Sequence, residues 1–201
     1  LSILRFRGET VDELVGFAKG MHETSTSFTL DFPVLYTCST GGDESGTFNI
    51  STSVALLLSA INIPVAKHGN RKVSSKTGSA DVLECLNIPI QYSIDEAIKS
   101  LREVNLCFLF APSYHSAMKY VGKARKELGV KTIFNLLGPL TNPANAKRQL
   151  IGVYDIIQGR KMAEAAIRLG IERAMFVTGE DGLDELTITG NSYVVEVKDG
   201  T

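Results

Sequence analysis

The sequence predicts an α/β domain, with a central, largely parallel sheet flanked by helices. Two observations carry that prediction. From residue 34 onward, short apolar runs of strand length alternate with stretches of helical periodicity, the pattern of parallel strands joined by crossover helices. The first two of those strands run into loops rich in glycine and serine, "STGGDESGTFNIST" and "AKHGNRKVSSKTGSAD". Loops at the carboxyl ends of such strands are where ligands bind. The chain of 201 residues, 44 % hydrophobic and 21 % charged, has ordinary globular composition, enough for one domain or one plus part of another.

Taken in order, "ETVDELVGFAKGMHE" places Val11, Leu14, Val15 and Ala18 on one helical face, with Thr10 and Glu13 spaced as a capping box. "VLYTC" reads as a strand before the glycine loop, and "ISTSVALLLSAIN" as the helix after it. "IPVAKH" is a strand, "SADVLECL" a short helix, "SIDEAIKSLREV" a helix and "NLCFLFAP" a buried strand. "SAMKYVGKARKELG" is a helix stopped by Gly129, and a strand is expected near "KTIFNLL". A strand "RQLIGVY", a helix "KMAEAAIRLG" and a strand "RAMFVTG" follow, and "DELTITGNSYVVEV" is expected to close as a hairpin around Gly190-Asn191.

Several function classes are disfavoured. A formal net charge of -1 argues against a protein that wraps nucleic acid, which needs a basic face. No run of 18 apolar residues predicts a membrane span, and no secretory leader is expected. Cys38, Cys85 and Cys107 are odd in number and form no CxxC pair. They read as reduced thiols of a cytoplasmic protein, not a disulfide framework or zinc site. A chain that opens on Leu1 and stops at Thr201 just past a strand is expected to be a segment of something longer.

Four clusters could do chemistry. In the first loop, Gly41 and Gly42 let backbone N–H groups approach a ligand, and the helix start at Asn49, Ser51 and Thr52 adds donors and partial positive charge. That suits a phosphate, although a capped tight turn reads equally well from the loop alone. The motif is neither a Walker A loop nor GxGxxG. The second loop crowds Lys67, His68, Arg71, Lys72 and Lys76 among Gly69, Asn70, Ser74, Ser75 and Gly78. Alone it reads as a solvated charge run; side by side with the first loop it becomes a second anion site. Arg125 shares a narrow stripe with Met118, Val121 and Leu128, where a cation needs an anionic partner, either a core carboxylate or a ligand. Asp184-Glu185 after "AMFVTG" could hold Mg²⁺ through oxygen ligands or be two solvated acids.

Together and in this order, "TCSTGGD", "TFNIST", "AKHGNR", "SSKTGSADVLE", "FLFAPSYHSAMKYVGKARKELG", "TIFNLLGPLTNP", "RQLIGVY" and "DGLDELTI" closely resemble the anthranilate phosphoribosyltransferase family of tryptophan biosynthesis. The resemblance runs the whole length of the chain. It implies a pentosyltransferase that moves phosphoribose from phosphoribosyl pyrophosphate (PRPP) to the amino group of anthranilate, releasing pyrophosphate, with Mg²⁺ as cofactor. Carried over by motif, PRPP would meet Ser39, Gly41, Gly42, Asp43, Thr47, Asn49, Ser51, Thr52, Lys67, Ser75, Gly78 and Ser79. Anthranilate would meet Ser39, Asn70, Arg125, His68 and His115, and the metal would meet Ser51, Asp184 and Glu185. No residue is implied as a certain acid or base, because the amine is already a neutral nucleophile. The resemblance also implies part of a small helical domain at residues 1–28, joined by a helix near 113–129, and an α/β domain at 29–201. A homodimer is implied too, with no nucleic-acid or membrane partner.

Two positions depart from the family's pattern. Ser39 stands where glycine is usual, and Glu44 where a small residue commonly follows the aspartate. A Cβ at Ser39 is expected to matter if the backbone there needs a positive φ. Two rival readings share the fold. A pyrimidine-type nucleoside phosphorylase fits "KHGNR" and "NLLGPLTNP" poorly, and a nucleic-acid-binding relative should be basic and lack the Asp-Glu pair.

Overall fold

The protein is described by a computed structural model covering residues 1–41, 47–72 and 77–201. Gly42, Asp43, Glu44 and Ser75, expected around the anion site, lie outside the described residues. Two N-terminal helices, α1 (Ser2–Arg7) and α2 (Val11–Glu23), precede the sheet. Then follow β1 (Leu35–Ser39), α3 (Ile50–Ala60), β2 (Val65–Gly69), α4 (Ser79–Cys85), α5 (Ile94–Val104) and β3 (Leu106–Phe110). After β3 come α6 (Ala111–Tyr114), a 3-10 turn (Ser116–Met118), α7 (Lys119–Leu128) and α8 (Ile133–Leu140). The chain ends with β4 (Arg148–Gly152), α9 (Ile156–Arg168), β5 (Arg173–Gly179) and β6 (Ser192–Lys198).

The six strands lie in the order β3-β2-β1-β4-β5-β6, parallel except for antiparallel β6. The chain therefore leaves β1 to one side, through β2 and β3, and returns to its other side with β4. Between β1 and β4 the strand order reverses, opening a crevice at their carboxyl ends. Ser39 pairs with Gly152 at that point.

Alternation along each strand sends successive side chains to opposite faces. On one face Val65, Leu106 and Phe108 meet Ala55 of α3 and Ala80 and Leu83 of α4. On the other, Tyr36, Ala66, Leu109, Ile151 and Phe176 join one continuous core with Leu14, Val15 and Ala18 of α2, Leu136 and Leu137 of α8, and Met162 of α9. The Thr10–Glu13 capping box of α2 is present, and Gly129 ends α7 in the left-handed conformation.

Three expectations are corrected. Residues 131–137 do not form a strand, because Ile133, Leu136, Leu137 and Leu140 are buried at helical spacing. Asn135 Oδ1 also accepts from Thr132 N at 3.0 Å, fixing the start of α8. Residues 184–190 form no hairpin arm, and β6 pairs instead with β5, Gly179 opposite Ser192. Side chains take the hydrogen bonds of that connection: Asp181 Oδ2 accepts from Thr187 Oγ1 and Thr189 Oγ1, and Glu180 Oε2 from Asn191 N. The stripe through Arg125 is not sealed into the core, since α7 has no fully buried residue.

Candidate active site

The site is assembled at the carboxyl ends of β1, β2 and β4. Asn49 starts α3, its side chain accepting from Thr52 N at 3.1 Å, which caps the first turn of that helix. Ser51 sits in that turn, and its carbonyl accepts from Thr37 Oγ1 at 3.1 Å. Lys67 projects from β2 toward the same turn. Its Nζ donates to Ser51 Oγ at 3.1 Å and to the Thr37 carbonyl at 3.0 Å, with the residue only 1 % exposed. Burial pulls the Lys67 ammonium down to about 8, against the opposing influence of Cys38 and Glu185. It is still mostly charged at neutral pH. Burial pushes the Cys38 thiol up to about 12, so it stays protonated.

Asp184 and Glu185 reach this cluster from the loop after β5. The Asp184 carbonyl rests directly on Gly152, where a Cβ would lie 1.6 Å from it. Gly152 is thus a glycine because a backbone passes over it. It also makes room for Ser39, whose Cβ would lie 3.0 Å from that same added atom. Asp184 is buried, and both acids are close enough to act on the Cys38 thiol. Ser39 is the last, extended residue of β1, and the positive φ of 69° falls on Gly41 instead. The departure at Ser39 therefore costs no backbone strain.

The second loop divides. Asp81 Oδ2 accepts from Gly78 N at 2.8 Å and Lys72 N at 2.9 Å, pinning its described ends together. A Cβ at Gly78 would lie 2.4 Å from the Arg71 carbonyl carbon, so glycine is needed for that approach. Arg71 pairs with Glu84 through its two terminal guanidinium nitrogens and so braces the start of this segment against α4. Ser79 opens α4, and Asn70 and Thr47 are exposed. Asn70 Oδ1 accepts from Arg71 N at 2.8 Å.

His68 follows Lys67 on β2 and so points to the opposite face of the sheet. Its ring lies 5.0 Å from that of His115, edge to face, with both residues buried. Burial, then the neighbouring imidazole, pushes His68 down to about 3, and burial pushes His115 down to about 4. Both are neutral at physiological pH. His22 of α2 acts electrostatically on both rings, and its own Nε2 lies 3.2 Å from the Leu140 carbonyl. Arg125 lies with its guanidinium 5.4 Å from the Phe134 ring centre, half-buried, and makes no ion pair with a described carboxylate. The structure thus gathers Ser39, Asn49, Ser51, Thr52, Lys67, Asp184 and Glu185 into one site and joins His68 to His115. It holds Arg125 on a separate helix.

Gly152, Thr37 and His22 were not singled out in the sequence. A glycine ending the strand "RQLIG" was the available sign for the first. His22 follows Ala18 by one turn on the inner face of α2, which marks it equally. Asn142 explains why "LTNP" is distinctive: Nδ2 donates to the Ala66 carbonyl and Oδ1 accepts from Ala144 N, each at 2.9 Å, latching the turn to β2.

The oxygen donors Ser51, Asp184 and Glu185 suit a hard divalent cation. Among the described residues no three His, Cys, Asp or Glu side chains are grouped to hold a metal unaided. Magnesium that keeps several waters and bridges substrate phosphates needs only one or two carboxylates, so the donor set fits.

Residues 32–201 match the glycosyl transferase family, a/b domain. The anthranilate phosphoribosyltransferase of Halalkalibacterium halodurans is 61 % identical over 199 residues, covering 98 % of this chain and 58 % of that protein. That of Bacillus caldotenax is 55 % identical over 200 residues, covering 100 % of this chain and 83 % of that protein. The crystal structure of the Thermus thermophilus enzyme superposes with a TM-score of 0.88 at 43 % identity, over 98 % of this chain and 59 % of that one. The Saccharomyces cerevisiae enzyme, in complex with PRPP and Mg, gives 0.88 at 29 % identity over 98 % and 58 %. The chain spans 58 % of the Halalkalibacterium protein's length. It belongs to the anthranilate phosphoribosyltransferase family of glycosyl transferases.

Proposed function

We propose that the protein containing this chain transfers phosphoribose from PRPP to the amino group of anthranilate, giving N-(5-phosphoribosyl)anthranilate and pyrophosphate, in tryptophan biosynthesis. The observation that carries this reading is the convergence of Lys67, Ser51 and the Asp184-Glu185 loop where the strand order reverses.

In the reaction the bond from the anomeric carbon to pyrophosphate breaks, a carbon–nitrogen bond forms, and the amine gives up a proton. Negative charge grows on the leaving group. The Lys67 ammonium and the first-turn amides of α3 are the groups that would meet it, held in place by Thr37 and Asn49. Ser51, Asp184 and Glu185 would hold Mg²⁺, which when bound supplies charge neutralisation at the pyrophosphate oxygens. Arg125, which pairs with no described carboxylate, would pair with the carboxylate of anthranilate. His68 and His115, both neutral, would line the approach of the amine without protonating it. Asn70 would meet anthranilate beside them. Ser39, Gly41, Thr47, Gly78 and Ser79, with Gly42, Asp43 and Ser75, complete the proposed PRPP contacts.

The same reading includes a homodimer formed through a helical part at residues 1–28 and the helix near 113–129, with the α/β domain at 29–201. Exposed Phe6 (96 %) and Ile3 (80 %) of α1 support such an interface. A cytoplasmic setting is supported by three cysteines free of disulfides. Among the described residues no helix is long and apolar enough to cross a membrane.

The test is to mix the full-length protein with anthranilate, PRPP and Mg²⁺ and follow anthranilate fluorescence. PRPP-dependent loss of fluorescence with release of pyrophosphate is expected. Phosphate-dependent cleavage of a nucleoside, with no loss of anthranilate, would overturn the reading.

A further inference from the structure

Thr37 carries a hydroxyl where the core does not call for one. It lies in the middle of β1, 1 % exposed, on the face covered by α3. Valine would fill such a place with the same branched shape and no polar atom to satisfy. Yet the hydroxyl is bonded, and its partner is outside the sheet. Thr37 Oγ1 donates to the Ser51 carbonyl of α3 at 3.1 Å. A carbonyl in the first turn of a helix already accepts one bond from four residues further on. The helix forms without this second bond, so what the bond adds is the seating of α3 on β1.

The backbone of the same residue is also engaged. Strand β1 keeps register with β4 from Leu35–Arg148 to Ser39–Gly152, but with β2 only at Leu35–Val65. Beyond that pair the Thr37 carbonyl accepts from a side chain of β2, Lys67 Nζ, at 3.0 Å. The same ammonium donates to Ser51 Oγ at 3.1 Å. The bonds close a ring across three elements: Thr37 to Ser51, Lys67 to Ser51, and Lys67 to Thr37. An ammonium has three hydrogens. Two are committed within the ring, so the direction of the third is set by where Thr37 and Ser51 stand.

We infer that Thr37 is a positioning residue of the PRPP site. Its hydroxyl seats the first turn of α3 on β1, so that Ser51 and the Lys67 ammonium meet the pyrophosphate group of PRPP in one fixed arrangement. This rests on the function proposed above. Buried as it is, Thr37 touches no ligand and acts through Ser51 and Lys67. A contact that only stabilised the fold would affect both substrates alike. A positioning contact affects PRPP alone, because Arg125 stands on α7 and His68 and His115 lie on the opposite face of the sheet.

The experiment compares Thr37→Val, which keeps the shape and loses the hydroxyl, with Thr37→Ser, which keeps the hydroxyl, in the full-length protein. PRPP with Mg²⁺ is titrated by calorimetry without anthranilate, and both Michaelis constants are then measured. Thr37→Val should bind PRPP about 5- to 10-fold more weakly, as loss of one hydrogen bond implies. Its Michaelis constant for anthranilate should stay within about twofold of the parent, and its circular dichroism should be unchanged. Thr37→Ser should bind PRPP within about twofold of the parent. Hydrogen exchange in the ligand-free protein should be faster at the start of α3 in Thr37→Val than in Thr37→Ser. If Thr37→Val does not fold, Thr37→Ala takes its place, since it sets no methyl group against the Ser51 carbonyl. A parent that binds no PRPP overturns the proposed function and this inference with it. A parent that binds PRPP, with the hydroxyl-free variant matching it within about twofold or weakened equally toward both substrates, overturns this inference alone.

Discussion

Lowering the pH from about 7 to 5 should destabilise the protein through its two adjoining buried histidines. His68 and His115 are buried, their rings 5.0 Å apart, and are held neutral in the fold, with folded values of about 3 and about 4 against an ordinary value of 6.5. Between those values the unfolded chain binds protons that the native state refuses, so stability rises with pH across that window. The contribution is therefore fully present above 6.5 and is lost as pH falls toward 4. At about 1.4 kcal/mol per pH unit, each histidine costs roughly 2 kcal/mol at pH 5 relative to pH 7, or about 4 kcal/mol for the pair. His22, shifted in the same direction chiefly by burial, adds to it. Against a typical total of about 5–15 kcal/mol this is large. In urea, with a slope of about 2 kcal/mol/M, it moves the midpoint down by roughly 2 M. The assay is urea unfolding followed by circular dichroism across this range, for the unaltered chain and for His115→Gln. The variant should lose about half of the pH dependence. A midpoint that moves by less than about 0.5 M in the unaltered chain would refute the reasoning, because the rings would then be protonated within the fold.

Four further outcomes follow from the site. Gly152→Ala puts a Cβ 1.6 Å from the Asp184 carbonyl, so that loop must retreat by over an ångström. Turnover in the full-length protein should fall about 100-fold with unchanged circular dichroism, and activity within threefold of the parent would count against the packing described. Lys67→Met should raise the Michaelis constant for PRPP about 10-fold or more. In the parent, PRPP affinity should weaken as pH rises through about 8 and the ammonium is lost; a flat profile to about pH 9.5 would contradict this. Arg125→Ala should raise the Michaelis constant for anthranilate far more than that for PRPP, and equal effects would remove the role given to it. Asp184→Asn with Glu185→Gln should abolish the response to Mg²⁺ in a metal titration, and an unchanged curve would exclude these acids as ligands.

Most of the architecture was legible because one signal dominates it. Apolar runs such as "LCFLF", and "RAMFVTG" from Phe176 onward, are buried on both faces, as strands of a parallel sheet commonly are, and the capped helices between them announce their own starts. The two failures of element type arose where that signal is ambiguous. "KTIFNLL" carries β-branched and aromatic residues at its start, and only the spacing of Leu136, Leu137 and Leu140 shows the helix. "DELTITG" alternates like a strand, yet Asp181 draws Thr187 and Thr189 out of any ladder. Within the site, side-chain chemistry could be read, but backbone proximity could not. Nothing local to Gly152 says that residue 184 will cross it, and nothing near Arg71 says that Glu84 will claim it. Both contacts are long in sequence or set by a turn, and only the folded chain makes them.

The neighbouring pair Lys67 and His68 has a consequence for how this protein can change. Strand β2 works as a partition with a cation on one side and a neutral aromatic ring on the other. A single inserted or deleted residue in β2 would exchange the two, placing imidazole among the oxygen donors and ammonium in the apolar chamber. The two sides can thus vary residue by residue without disturbing one another. They cannot tolerate any change in the length of the wall between them.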